Sequence, residues 1–188
     1  MKILVLGGGW REHAIVNALA RSPRQPELLC APGNPGIAES ARCLPDLDPV
    51  DTAAVTGLAR EEGVDLVVVG PEAPLVAGVV DALKEAGIAA FGPCEEAARL
   101  EGSKTFAKQA MEEAGVPTAG YAVVRDRAQA LEEMDRGTFP VVLKADGLAA
   151  GKGVLICQDE GEARAAVEVF FTERRFGETE VVIEEFLD

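Results

Sequence analysis

The sequence is poor in basic residues: 18 Lys and Arg stand against 32 Asp and Glu, a net charge of −14. An excess of that sign repels phosphate backbones and excludes general nucleic-acid binding. It leaves room for a small phosphorylated ligand, because local loops hold such groups. Histidine occurs once, as His13, with no second histidine for a metal or base pair, so a structural role is expected of it. The four cysteines, Cys30, Cys43, Cys94 and Cys157, form neither a C-x-x-C pair nor a metal knuckle. They read as small apolar residues of a reducing compartment. Long apolar runs are missing too. Ile3–Leu6 gives way to glycines too soon for a signal peptide or a membrane helix. A cytoplasmic protein without a membrane partner is the expectation. No repeat or low-complexity segment appears.

What the chain does have is 48% hydrophobic and 27% charged residues over 188 positions, enough for one or two globular domains. Short β-branched runs at Ile3–Leu6, Glu27–Ala31, Leu66–Val69 and Ala89–Phe91 alternate with helical stretches rich in Ala, Leu and Glu. These stretches are Arg11–Arg21, Thr52–Glu62, Leu75–Ala86 and Glu95–Leu100. Such alternation predicts βαβ units on a parallel sheet. Leu66–Val69 is apolar on both faces, as a central parallel strand requires. A helix over Lys104–Glu113 stops at Gly115-Val116-Pro117. Beyond it the order becomes strand, helix, strand, strand, helix, strand: Tyr121–Val124, Ala128–Asp135, Val141–Lys144, Val154–Cys157, Glu162–Thr172 and Val181–Phe186. This predicts an α/β chain with a parallel-sheet domain over 1–116 and a small α+β lobe over 117–188. Asp188 follows an apolar strand with no turn behind it, which suggests a fragment.

Two loops carry candidate chemistry. Gly7-Gly8-Gly9 follows the first strand and opens a helix, where backbone N–H groups and the helix dipole favour an anion. Arg11 adds a charged donor. A dinucleotide fingerprint is excluded, because its third glycine would fall on Glu12 and the second strand ends without an acidic residue. The second loop runs from Lys144 to Gly153, with small residues between strands and lysines at 144 and 152. It lacks the spacing of a Walker A loop. Its length and lysines suit a triphosphate. Lys104 begins a helix, where a cation is disfavoured unless an anion lies near. Glu184 and Glu185 are neighbours on a strand, so they face opposite ways.

Taken in order, Gly7-Gly8-Gly9-Trp10-Arg11-Glu12-His13, Ala31-Pro32-Gly33-Asn34-Pro35-Gly36, Val69-Gly70-Pro71-Glu72-Ala73-Pro74-Leu75-Val76, Phe91-Gly92-Pro93, Leu100-Glu101-Gly102-Ser103-Lys104, Lys144–Gly153 and Glu184–Asp188 resemble the glycinamide ribonucleotide synthetases of the ATP-grasp superfamily. The resemblance covers the N-terminal portion of that family. It implies a Rossmann-like pre-ATP-grasp domain followed by a truncated ATP-grasp small lobe. It also implies a ligase of purine biosynthesis that joins glycine to 5-phosphoribosylamine with ATP, through glycyl phosphate. Gly9, Arg11, Glu12, Asn34, Pro71 and Glu72 would hold phosphoribosylamine. Lys104, Lys144, Gly151, Lys152 and Gly153 would meet ATP phosphates, with Glu184, Glu185, Phe186 and Leu187 along the adenine edge. Mg²⁺ would be held by residues outside this stretch, so no metal ligand is assigned, and these 188 residues are expected to be inactive alone. Trp10 stands where the family has glycine, and its bulk is expected to crowd the substrate loop. Two other readings stay open: another ATP-grasp carboxylate–amine ligase, and a non-catalytic nucleotide- or sugar-phosphate-binding module.

Overall fold

The computed structural model describes residues 1–148, 152–177 and 179–187. Two compact units divide the chain, Met1–Ala98 and Arg99–Asp188. In the first, β1 (Lys2–Gly7), α1 (Trp10–Ala20), β2 (Glu27–Pro32), β3 (Arg42–Cys43), α2 (Thr52–Glu61), β4 (Leu66–Val69), α3 (Glu72–Val76), α4 (Val79–Glu85) and β5 (Ala89–Phe91) follow one another. The five strands form a wholly parallel sheet in the order β3-β2-β1-β4-β5.

Alternation along the strands builds a core on each face of this sheet. Leu4, Leu6, Leu29, Ala31, Val67 and Val69 pack with Val55 of α2 and with Val79, Val80 and Leu83 of α4. Ile3, Val5, Leu28, Cys30 and Val68 pack on the other face with Val16 of α1. Strand order reverses at β1, so the C-terminal ends of β1 and β4 form a topological switch point, where open α/β sheets bind ligands.

The second unit contains the end of α5 (Glu95–Gly102), then α6 (Lys104–Glu113), β6 (Tyr121–Val124), α7 (Arg127–Arg136), β7 (Val141–Ala145), β8 (Val154–Cys157), α8 (Glu160–Val167), a π-helical turn at Glu168–Thr172 and β9 (Val181–Glu185). Its antiparallel sheet has the order β6-β9-β7-β8. Val141, Leu143, Val181 and Ile183 point to the core shared with α7 and α8. By the same alternation Val142, Lys144, Val182 and Glu184 line the opposite face.

Two details depart from the sequence expectation. The helix expected over Leu75–Ala86 is two, α3 and α4, because Gly78 adopts φ +80°, a left-handed conformation that interrupts the helix and suits glycine. The units meet ahead of the boundary expected at 116–117. The reason is that α6 is bonded to the rest of the second unit at its start and its middle, through Lys104 to Asp146 and Lys108 to Ala119. Among the described residues no helix is long and apolar enough to cross a membrane.

Candidate functional site

At the switch point the three loops after β1, β2 and β4 are laced together by side chains. Asn34 donates from Nδ2 to the Gly8 carbonyl at 3.0 Å, and its Oδ1 accepts the Ile37 N–H at 2.9 Å. Arg11 donates to the Gly70 carbonyl and to Glu72 Oε1, each at 2.9 Å. The Glu72 backbone N–H and the Arg11 guanidinium together hold the Glu72 carboxyl below its usual range. Pro71 is the N-cap of α3, in extended conformation. Gly9, Arg11, Asn34, Pro71 and Glu72 are therefore gathered on one end of the sheet.

Glu12 is placed differently from the other five. It is buried, and its Oε2 accepts the Gly9 N–H at 2.6 Å. A Cβ on Gly70 would lie 2.3 Å from Glu12 Oε1, so the third loop closes over this carboxylate only because residue 70 is glycine. Glu12 braces the first loop from beneath. His13 sits under the second loop, where a Cβ on Gly36 would come within 2.6 Å of its ring, in keeping with the structural role expected of it.

Trp10 lies next to the first loop. It is the first residue of α1, it is not among the residues with positive φ, and it is 84% exposed. The left-handed residue of this turn is Gly7, at φ +119°. Tryptophan at position 10 therefore adds no backbone strain to the turn.

In the second unit the loop after β7 meets the start of α6. Asp146 accepts the Lys104 N–H at 2.5 Å, the Thr105 N–H at 3.2 Å and the Ser103 hydroxyl at 2.9 Å. Lys104 Nζ donates to the Gly147 carbonyl at 2.9 Å. The anion that a lysine at a helix start calls for is thus already present as Asp146. Lys144 Nζ contacts Glu184 Oε2 at 2.7 Å on the open face of the sheet. A cleft of about 470 Å³ is lined by both charged and apolar residues, among them Asp146, Leu148, Lys152, Leu155, Arg175 and Phe176. Gly153 is buried, its carbonyl bound by the Ala145 N–H at 2.8 Å. Gly151 lies outside the described residues. Glu185 faces away from Glu184 and accepts the Gly120 N–H at 2.8 Å, while Phe186 and Leu187 are exposed.

Two family models match in tandem: Phosphoribosylglycinamide synthetase, N domain, over residues 1–101, and Phosphoribosylglycinamide synthetase, ATP-grasp (A) domain, over residues 102–188. The chain belongs to the phosphoribosylglycinamide synthetase family. Both the three-loop end and the lysine-bearing sheet thus lie within matched family domains, and the two models meet near the division between the compact units. Phosphoribosylamine–glycine ligases of Streptomyces coelicolor and Leifsonia xyli are 54% and 51% identical over the whole chain. The chain spans 43% and 44% of their lengths. A solved phosphoribosylamine–glycine ligase from Thermotoga maritima superposes over the whole chain and 44% of its own, with a TM-score of 0.79 and 31% identity. An ADP complex of N5-carboxyaminoimidazole ribonucleotide synthetase shares the fold, at a TM-score of 0.75 and 22% identity, over 99% of this chain and 47% of its own.

Residue patterns alone did not reveal Asp146 as a partner of α6, nor the buried Lys108 described below. Asp146 was visible only as a polar member of the small-residue loop. Lys108 carried no signal beyond its place in a helix.

Proposed function

We propose that this chain supplies the phosphoribosylamine- and nucleotide-binding parts of a phosphoribosylamine–glycine ligase of the purine pathway. The reaction joins ATP, glycine and 5-phosphoribosylamine to give glycinamide ribonucleotide, ADP and phosphate. The observation that carries this reading is the tandem match of both family models, each on a unit with a fitting site. On the first unit the Gly9 loop, Arg11, Asn34 and Glu72 would position the phosphoribosyl group, with the first turn of α1 facing its phosphate. Glu12 would act through the loop and leave the ligand to its neighbours. On the second, Lys104, Lys144 and Lys152 would neutralise the triphosphate, and the strand end at Glu185–Leu187 would border the base.

A carboxylate resists attack by an amine until it carries a leaving group. In the proposed sequence a glycine carboxylate oxygen displaces ADP from the γ-phosphorus to form glycyl phosphate. The amine of phosphoribosylamine then attacks the acyl carbon, loses a proton, and phosphate departs. These residues contribute position and charge, with no covalent intermediate on the protein. Mg²⁺ relieves repulsion between phosphates when bound. Among the described residues no three His, Cys, Asp or Glu side chains converge to hold it, so no step is assigned to it here.

Hydrogen exchange tests the reading. ATP is expected to slow exchange over residues 144–157, and ribose 5-phosphate over residues 7–12 and 32–37. Unchanged exchange at saturating ligand would contradict it. These residues alone are expected to show no glycine-dependent ADP formation above background, and ordinary ligase turnover would require metal ligands within them.

A further inference from the structure

Lys108 is a buried cation that the proposed reaction does not use. It is 5% exposed, on the middle of α6. Its Nζ donates to the Thr118 hydroxyl at 2.8 Å and to the Ala119 carbonyl at 3.0 Å, and lies 3.5 Å from Glu184 Oε2. The Tyr121 ring stands 5.3 Å from it. Glu184 is itself 7% exposed, and the same Oε2 that faces Lys108 also holds Lys144 at 2.7 Å. One buried carboxylate therefore serves two ammonium groups. The groups facing it are Lys108 from α6, Lys144 from β7 and Tyr121 opposite on β6.

The two lysines are not equivalent. Lys108 is fixed by three acceptors in the interior, whereas the Lys144 side chain is 28% exposed. Lys144 can leave Glu184 for an incoming phosphate without stranding the carboxylate, because Lys108 remains. A buried carboxylate with no partner is strongly unfavourable and is neutralised by taking up a proton. We infer that Lys108 is a positioning residue that keeps Glu184 paired, so that Lys144 is free to transfer to a nucleotide phosphate. This rests on the nucleotide-binding reading above.

The test measures ADP binding to the chain by calorimetry in buffers of differing ionisation enthalpy, between about pH 6 and 8.5. The unaltered chain and Lys108→Arg are expected to bind ADP with little proton uptake and a flat pH dependence. Lys108→Met is expected to bind with uptake of about one proton, its affinity falling about tenfold per pH unit between about pH 6 and 8.5. Lys108→Met/Glu184→Gln removes the carboxylate, so it is expected to fold even where the single variant does not, and to bind without proton uptake. Lys108→Met binding like the unaltered chain, or the double variant failing to fold, would overturn the inference. Absence of ADP binding by the unaltered chain would instead overturn the nucleotide reading, and this inference with it.

Discussion

Glu12 shows how one buried residue can hold a loop in place. Its carboxylate accepts the Gly9 N–H, and Gly70 closes over it. Glu12→Ala strands that N–H, a loss of about 1–3 kcal/mol. For a protein of this size the melting temperature should fall by roughly 2–4 °C per kcal/mol, as scanning calorimetry would register. Gly70→Ala should be as harmful from the other side, since its methyl group overlaps Glu12 Oε1. An unchanged melting temperature in both variants would remove Glu12 from this role. Burial also governs thiol chemistry. It pushes the Cys30 thiol up to about 12, first by desolvation and then by the neighbouring Cys43 and Glu12. Cys30 should therefore remain unalkylated by iodoacetamide at pH 8 in the native protein, and react once the protein is unfolded, as peptide mass spectrometry would show. Sequence conveyed part of this residue-scale picture. Arg11, Asn34 and Glu72 were legible as polar side chains on strand-end loops, and the structure gathers them at one end of the sheet, where they tie the loops together. The burial of Glu12 was not legible, because it depends on how the third loop folds over the first.

At the scale of elements, the start of α6 is fastened from a distance. Asp146, on the loop after β7, accepts the N–H groups of Lys104 and Thr105 and the Ser103 hydroxyl. Ser103 in turn accepts the Phe106 N–H as the N-cap. Asp146→Ala should release the first turn of α6, raising amide exchange at residues 104–106 while α7 and α8 keep their rates. Equal exchange before and after substitution would contradict the latch. Several elements were legible because local chemistry decides them. Leu66–Val69 is β4 as expected, a continuous apolar run buried in the sheet, and Lys104–Glu113 is α6 to the residue. The interruption at Gly78 was not legible, since a glycine within an Ala- and Leu-rich stretch is compatible with an unbroken helix until packing selects positive φ. Nor was β3, whose two residues exist as a strand only through pairing with Leu29 and Cys30.

Across the whole molecule, the proposed function divides the ligands between the units: a sugar phosphate at the three-loop end of the parallel sheet, and a nucleotide at the lysine-bearing face and following loop of the antiparallel sheet. The pattern change from parallel to antiparallel elements foretold two sheets, and the observed strand orders agree. The place of the division was less legible, because α6 looks like one more helix of the first pattern until its bonds to Asp146 and Ala119 are seen. The measurement that tests the division of labour most directly is titration of ADP and of ribose 5-phosphate into the chain, Asn34→Ala and Lys144→Met, six isotherms in all. Asn34→Ala should weaken ribose 5-phosphate about tenfold or more and leave ADP unchanged, because the two hydrogen bonds lost belong to the first unit's loops and no lysine is lost. Lys144→Met should do the reverse. Both ligands weakened together by either variant, or neither ligand bound by the unaltered chain, would contradict the assignment of separate sites.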